Sequence, residues 1–83
     1  MKVLYFARIR QIAGRGEDEI DVPASVTTVS ELIDFLSGRD EACAAALADR
    51  RTLHAAVDKS HVKLDASIVG ATEIAFFPPV TGG

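Results

Sequence analysis

The residues whose types and spacing best suit chemistry are the last six, Pro78, Pro79, Val80, Thr81, Gly82 and Gly83. Glycine has no Cβ, so a narrow channel in a partner protein can close directly on the backbone of Gly82 and Gly83. A terminal carboxylate is inert toward nucleophiles. An activating enzyme can convert it with ATP to an acyl-adenylate, and from there to a thioester, an amide or a thiocarboxylate. The tail therefore predicts a carrier whose reacting residue is Gly83.

The other residues that often carry chemistry predict no catalytic or metal site. Cys43 lies in an alanine-rich run and is predicted to be a small buried hydrophobe rather than a reactive thiol. His54 and His61 fall on different predicted strands, without a Cys or carboxylate partner at metal-site spacing. No serine has the sequence context of a nucleophile elbow. The chain is therefore predicted to bind no metal or cofactor and not to be a catalyst by itself.

Composition predicts one small domain over residues 1–83. A hydrophobic fraction of 48% supports a core, and the single cysteine indicates a reducing compartment. A net charge of −3 argues against nucleic-acid binding. No run approaches the roughly 18 apolar residues of a membrane span, and no basic leader opens the chain. We expect a cytoplasmic protein that binds no membrane.

Alternating apolar residues predict strands at both ends of the chain. In the first strand, over 2–8, side chains face two ways: Val3, Tyr5 and Ala7 on one side, Leu4 and Phe6 on the other. A turn over 10–16 and a half-exposed strand over 17–22 complete a hairpin. A strand over 53–57, a short edge strand over 61–64 and a loop over 67–72 with a tight turn at Gly70 lead to the last strand, over 73–77.

Two helices are predicted between these strands. Thr28 and Glu31 have the spacing of a capping box. Apolar residues follow at helical spacing, at Val29, Leu32, Ile33 and Leu36, and Gly38 is predicted to end the helix. Asp40 is predicted to cap a shorter helix that runs through Ala48. Because that second helix is rich in alanine, we expect it to be peripheral.

This order of elements indicates an α+β domain with one main helix packed on a mixed sheet. The first and last strands are the most apolar, so we expect them side by side in the centre, parallel because a helix intervenes. That arrangement is the β-grasp. Pro78 and Pro79 have no amide N–H for a sheet, so the chain must leave it there. Residues 78–83 then form a projecting tail with a reach of about 20 Å, at about 3.3 Å per residue.

The segment Phe76–Gly83 resembles the C-terminus of the MoaD family, the small subunits of molybdopterin synthase, and Lys2–Ala7 and Leu53–Val57 look like that family's opening and middle strands. The resemblance implies a ubiquitin-like fold and a sulfur carrier. An E1-like enzyme would adenylate Gly83 with ATP, and a sulfurtransferase system would convert it to a thiocarboxylate. The tail would then enter the large synthase subunit and donate sulfur to cyclic pyranopterin monophosphate, building the molybdopterin dithiolene. The family's synthase is a heterotetramer.

The same resemblance implies a partner interface. Phe6 and Phe77 match the family's apolar contact surface and Arg10 a basic contact position, although the alternatives are ordinary packing for the two rings and a solvated charge for Arg10. The sequence departs from the family at Asp58, where Asn is frequent, and at His61, where an apolar residue is common. The loop 69–72 also lacks the family's usual acidic turn. These departures leave the local edge contacts open.

Three other functions stay open from the sequence. The same carboxylate chemistry serves sulfur carriers for thiamine or tRNA thiolation, which differ only in their partners. A ubiquitin-like protein modifier would join Gly83 to a lysine through an isopeptide bond. A structural interaction domain would make no use of Gly83 at all.

Overall fold

The computed structural model describes residues 1–79, so Val80, Thr81, Gly82 and Gly83 of the predicted tail lie outside the described residues. Within these residues, five strands and three helices follow one another in the order β1 (Lys2–Tyr5), α1 (Ala7–Ala13), β2 (Glu17–Glu19), α2 (Val29–Arg39), α3 (Glu41–Ala46), β3 (His54–Val57), β4 (Ser60–Val62) and β5 (Glu73–Phe77). No helix within residues 1–79 has the length and apolar character needed to cross a membrane.

The strands form one mixed sheet in the order β2-β1-β5-β3-β4. The first and last strands are neighbours and run parallel, with Val3 opposite Ile74 and Tyr5 opposite Phe76. The pairs β1–β2, β3–β5 and β3–β4 are antiparallel. The predicted α+β class and β-grasp topology are therefore confirmed, including the parallel central pair.

The core lies between one face of this sheet and α2. Val3, Tyr5, Ile74 and Phe76 point into it from the two central strands, each with no more than 1% of its surface exposed. The four apolar residues predicted for α2, Val29, Leu32, Ile33 and Leu36, are buried in the same cluster. The capping box is also confirmed: the Thr28 hydroxyl accepts from the Glu31 amide at 3.1 Å, and the Glu31 carboxylate accepts from the Thr28 amide at 3.1 Å.

The helix α1 was not predicted. The first strand ends at Tyr5 instead of Arg8, and α1 occupies most of the predicted turn. Ala7, predicted on the same face of the strand as Val3 and Tyr5, is exposed and left-handed (φ 52°), which turns the chain out of the sheet. Ile9 and Ala13, one helical turn apart, are the residues that α1 buries. Gly14 ends it in the left-handed conformation typical of helix C-termini, and its amide donates to the Arg10 carbonyl.

The prediction that the second helix is peripheral is wrong. Asp40 caps α3 as predicted, but Cys43 and Leu47 are each 1% exposed, and α3 packs against both α1 and α2. The small alanine side chains of α3 allow it to pack against two helices. A high alanine content therefore does not indicate an exposed helix here. The other differences from prediction are small and lie at the ends of elements. The helix α2 continues beyond Gly38 and ends at Arg39, and α3 ends at Ala46 instead of Ala48. The strand β2 ends at Glu19 instead of residue 22, and β4 begins at Ser60 instead of His61.

Candidate functional site: the tail exit and the outer face of the sheet

The tail leaves the sheet at the end of its central strand. The last hydrogen bond on the β1 side joins the Phe6 amide to the Phe76 carbonyl at 3.1 Å. Pro78 and Pro79, which follow Phe77, have no N–H with which to continue the ladder. Pro78 is half-buried and lines a cavity of about 110 Å³ together with Ile9, Ile12 and Leu53, whereas Pro79 is exposed. The exit is thus packed against the body of the protein at Pro78 and exposed to solvent at Pro79.

The face of the sheet opposite α2, here called the outer face, is apolar at its centre. The register aligns Leu4, Ala75, Ala56 and His61 across four strands. His54 lies opposite Phe77 in the next row. Phe6 keeps an extended backbone (φ −121°, ψ 154°) and so continues the alternation of β1 onto this face, where 47% of it is exposed. The structure therefore brings Phe6 and Phe77, two of the three predicted interface residues, onto the same face of the sheet beside the exit.

Arg10, the third predicted interface residue, is exposed on α1. Its guanidinium covers Gly16, where an added Cβ would lie 3.1 Å from the guanidinium carbon. Arg10 also lines a shallow depression with Ala7 and Gln11. Gly16 immediately precedes β2. Arg10 therefore places a cationic group near the start of β2, whereas the outer face of the sheet is apolar.

Phe77 forms an aromatic cluster with the only two histidines of the chain. The His54 ring stacks on it with centroids 5.7 Å apart and planes 15° apart, and the His61 ring lies 5.6 Å away. His54 Nδ1 and His61 Nε2 are 3.1 Å apart, a hydrogen bond in which one ring donates and the other accepts. The two histidines lie on different strands, as predicted, and these strands, β3 and β4, are neighbours in the sheet.

A two-residue turn sets this histidine pairing. Asp58 and Lys59 both have positive φ, 47° and 73°, as a type I′ hairpin turn requires. The resulting register places His61 opposite Ala56, diagonal to His54. The sequence signal for this register is the two-residue loop between Val57 and Ser60, which has Asp at its first position.

Asp58 also anchors the start of the central strand. Its Oδ1 accepts from the Thr72 amide at 3.0 Å, the Thr72 hydroxyl at 2.9 Å and the Glu73 amide at 2.9 Å. These hydrogen bonds, the Thr72 hydroxyl first, lower the pKa of the Asp58 carboxyl. An Asn Oδ1 can accept the same three bonds and tolerates the same backbone, so the departure from Asn leaves these edge contacts in place.

Cys43 is held in a polar network centred on Arg15. The Arg15 guanidinium donates to Asp18, to Asp40 at 2.6 Å and to the Cys43 sulfur at 3.0 Å, and the Tyr5 hydroxyl donates to Asp18 at 2.9 Å. Burial, and then its hydrogen bonds, raise the pKa of the Tyr5 hydroxyl, while the Arg15 bond lowers the pKa of Asp40. The predicted burial of Cys43 is confirmed. The network joins α3 to the β2 side of the fold and has a structural role.

No further reactive set is found in the described part of the chain. Residues 1–79 contain no group of three His, Cys, Asp or Glu side chains able to hold a metal ion. The Gly83 carboxylate, the predicted centre of the chemistry, lies outside the described residues together with Val80, Thr81 and Gly82. What the structure provides is the base of the tail and the surface around that base.

Comparison with known sequences gives a match over nearly the whole chain. The sequence model of the ThiS family matches residues 3–83. A relative from Escherichia coli (strain K12), named molybdopterin synthase sulfur carrier subunit, is 40% identical over 83 residues, covering 100% of this chain and 99% of the relative.

Solved structures agree with the fold. The crystal structure of SAMP1 from Haloferax volcanii superposes with a TM-score of 0.73 at 26% identity, covering 100% of this chain and 98% of that one. A Pyrococcus furiosus protein provisionally named molybdopterin converting factor, subunit 1, superposes with a TM-score of 0.72 at 32% identity, covering 95% of both chains.

Proposed function

Because this chain belongs to the ThiS family, we propose that it is the sulfur-carrier subunit of a molybdopterin synthase, with Gly83 as the residue that carries sulfur. The observation that carries the proposal is the full-length match at 40% identity to a relative with that name. The family match also extends through Gly83, so the tail that the sequence singles out belongs to the shared pattern.

The proposed chemistry takes place at the Gly83 carboxylate. An E1-like enzyme joins the carboxylate to the AMP part of ATP and releases pyrophosphate. A sulfur donor of a sulfurtransferase system then displaces AMP and leaves a thiocarboxylate. The thiocarboxylate sulfur forms a bond to cyclic pyranopterin monophosphate in the large subunit, and water then cleaves the acyl–sulfur bond and returns the carboxylate. A second cycle supplies the second dithiolene sulfur. This chain binds no cofactor in this scheme, since ATP is bound by the activating enzyme.

The exit geometry supports this use of the tail. Phe77 ends a central strand that is hydrogen-bonded on both sides, and half-buried Pro78 fixes the direction in which the chain departs. Since prolines restrict the unbound chain, insertion of Pro78, Pro79, Val80, Thr81 and Gly82 into a channel would cost less conformational entropy. The chain alone would not be a catalyst, because in this scheme the reacting groups other than Gly83 belong to its partners.

The outer face supports docking to the large subunit. Phe6 is 47% exposed and Phe77 lies on the same face beside the tail exit, so a partner that holds this face also receives the tail. Exposed aromatic anchors of this kind dominate the binding energy of many interfaces. Arg10 would add a charged contact at the margin, where it acts on association rate more than on affinity.

Intact mass spectrometry tests the proposal directly. The chain is coexpressed with an activating enzyme and a sulfur donor, and the expected product has one C-terminal oxygen replaced by sulfur. A variant lacking Gly83 is the control, since it should fold normally and show no such change. An unchanged mass for the full chain, when the E. coli relative is converted under the same conditions, would contradict sulfur carriage.

A protein-modifier function is the second candidate, favoured by the likeness to a solved structure described as small archaeal modifier protein 1, at a TM-score of 0.68 and 25% identity. A modifier would accumulate on lysines as conjugates that survive thiols and hydroxylamine, whereas thioester or thiocarboxylate products would be cleaved or exchanged. Sulfur carriage for thiamine or tRNA thiolation would instead be revealed by copurification with those thiolation enzymes and no binding to a large synthase subunit.

A further inference from the structure

We propose that His54 and His61 form a two-nitrogen chelating site for a divalent first-row transition ion such as Zn²⁺, Ni²⁺ or Cu²⁺. The site lies on the outer face beside Phe77, one residue before the tail leaves the sheet. It is independent of the proposed sulfur chemistry, because neither imidazole takes part in the activation of Gly83.

The separation of the two nitrogens fits one metal ion. His54 Nδ1 and His61 Nε2 lie 3.1 Å apart. For metal–nitrogen bonds of about 2.0–2.1 Å, that separation corresponds to a ligand–metal–ligand angle of roughly 100°. This angle falls between the right angle of square-planar or octahedral coordination and the tetrahedral angle. One ion can therefore bridge both nitrogens once the two rings rotate so that their lone pairs point at it instead of along the line that joins them.

The protein holds both rings in place. Phe77 contacts both, stacked on His54 and tilted against His61, with centroids 5.7 and 5.6 Å away. The turn at Asp58 and Lys59 fixes the register of the two strands that carry the histidines. A chelating pair that is already positioned loses little side-chain entropy when the ion binds, and this favours binding.

Binding requires a specific tautomer of each ring. In the hydrogen-bonded pair, one of the two facing nitrogens carries a proton, and both must be unprotonated to bind a metal. Exchange with water can move that proton to the opposite nitrogen of the same ring. His54 then keeps its proton on Nε2 and His61 keeps its proton on Nδ1, so two neutral imidazoles bind the ion with no net release of protons.

The donor set defines the class of ion. Imidazole nitrogens suit Zn²⁺, Cu²⁺ and Ni²⁺, whereas Mg²⁺ and Ca²⁺ prefer oxygen ligands. Since the described residues provide no third metal-binding side chain, water or a group from another molecule completes the coordination. A site with two protein ligands holds its ion exchangeably, unlike structural zinc sites with four.

Calorimetric titration of the full chain with Zn²⁺ tests the proposal. Wild type is compared with His54→Ala, His61→Ala and the double variant. A chelate predicts one ion per chain. Each single substitution should weaken binding by at least about tenfold, a loss seen even for residues that only support a metal ligand. The double variant should bind no more tightly than either single variant, and Mg²⁺ should not compete.

A matched control separates chelation from general attraction to negative charge. Glu73 lies on the same strand and the same face as Phe77, so Glu73→Gln removes a charge there without touching either imidazole. Its Zn²⁺ affinity should stay within about twofold of wild type. Circular dichroism establishes that each variant is folded, and NMR should show both imidazole rings responding to the same ion.

Three results would overturn the proposal. Two ions per chain, with each single variant retaining one at full affinity, would mean independent binding to separate histidines. Unchanged binding in the double variant would place the ion elsewhere. Half an ion per chain, together with dimer formation in sedimentation, would mean that the ion bridges two molecules instead of being chelated by one.

Discussion

The two faces of the central strand β5 use similar residues for opposite purposes. Ile74 and Phe76 point to the α2 side and are fully buried, while Ala75 and Phe77 point to the outer face, where Phe77 remains half-exposed. Apolar composition thus does not distinguish the core side of β5 from its outer side. The difference lies in what covers each face: α2 covers one, and no element within residues 1–79 covers Phe77 in the same way. Burial on one side provides stability, and exposure on the other leaves the surface that we propose for docking.

The largest effect should come from truncating the core side of this strand. Phe76→Ala removes a ring with no exposed surface and leaves a cavity, so we expect a loss of about 3–5 kcal/mol in the free energy of unfolding. Urea denaturation measures it. Phe77→Ala, one residue along on the other face, should cost only about 1 kcal/mol. Equal losses for the two variants would show that the faces do not differ in this way.

The outer face should show the reverse dependence in binding. Phe77→Ala and Phe6→Ala should each weaken binding to a large synthase subunit by on the order of 2 kcal/mol, because each removes an aromatic ring from the proposed docking face. Calorimetry with the purified large subunit measures this. Val69→Ala, at an apolar residue that is 75% exposed outside this face, is the matched control and should leave affinity unchanged. Equal weakening by the control would argue against a specific docking face.

Substitutions at the N-cap of α2 test how far the stability of the core side depends on the helix that covers it. Thr28→Ala removes the hydroxyl that accepts from the Glu31 amide, so we expect a loss of about 1 kcal/mol in unfolding free energy. Thr28→Ser keeps the acceptor and should stay close to wild type. Affinity for a large subunit should be the same in both variants, because the cap does not touch the outer face.

The smallest expected effect is on the pH dependence of stability, through Asp58 at the start of β5, a segment that both faces share. The hydrogen bonds from Thr72 and Glu73 lower the pKa of Asp58 below its unfolded value, so its contribution to stability is complete above the unfolded pKa of about 4. That contribution is lost as the pH falls through the lower, folded pKa. Melting temperatures followed from neutral to acid pH should fall less steeply in Asp58→Asn than in wild type. Identical slopes would assign the acid sensitivity to other carboxyls, such as Glu31 or Asp40, whose pKa values are also lowered.

Local patterns were sufficient for much of the fold. The capping bonds join Thr28 and Glu31, which are three residues apart, and the apolar residues from Val29 to Leu36 have a helical period. The main helix could therefore be predicted from its own segment. The parallel pairing of the first and last strands followed from their hydrophobicity and from the intervening helix. The helix α1 also left a signal, since Ile9, Ile12 and Ala13 are spaced for a helix. With only seven residues, the helical period of α1 is a weaker signal than the alternating strand pattern of the preceding residues.

The family was predicted from the tail and from the opening and middle strands, and the comparisons confirm it. For the site, the sequence gives residue identities but no distances. The sequence predicts Phe6 and Phe77 as interface residues, but the presence of both on one face depends on the register of β1 with β5. The roles of Gly83 and the other tail residues stay predictions, because they lie outside the described part of the chain.

The sequence by itself determined the α+β class, the main helix, the central strands and a tail suited to carboxylate chemistry, because each depends on local propensity or on the period of apolar residues. Only the tertiary structure decided that Arg15 joins Cys43 to two carboxylates, that α3 is packed between two helices, and that His54 meets His61 over Phe77. Those contacts join residues far apart in the chain or on different strands. Their distances are set by strand register and helix packing, which no single segment encodes.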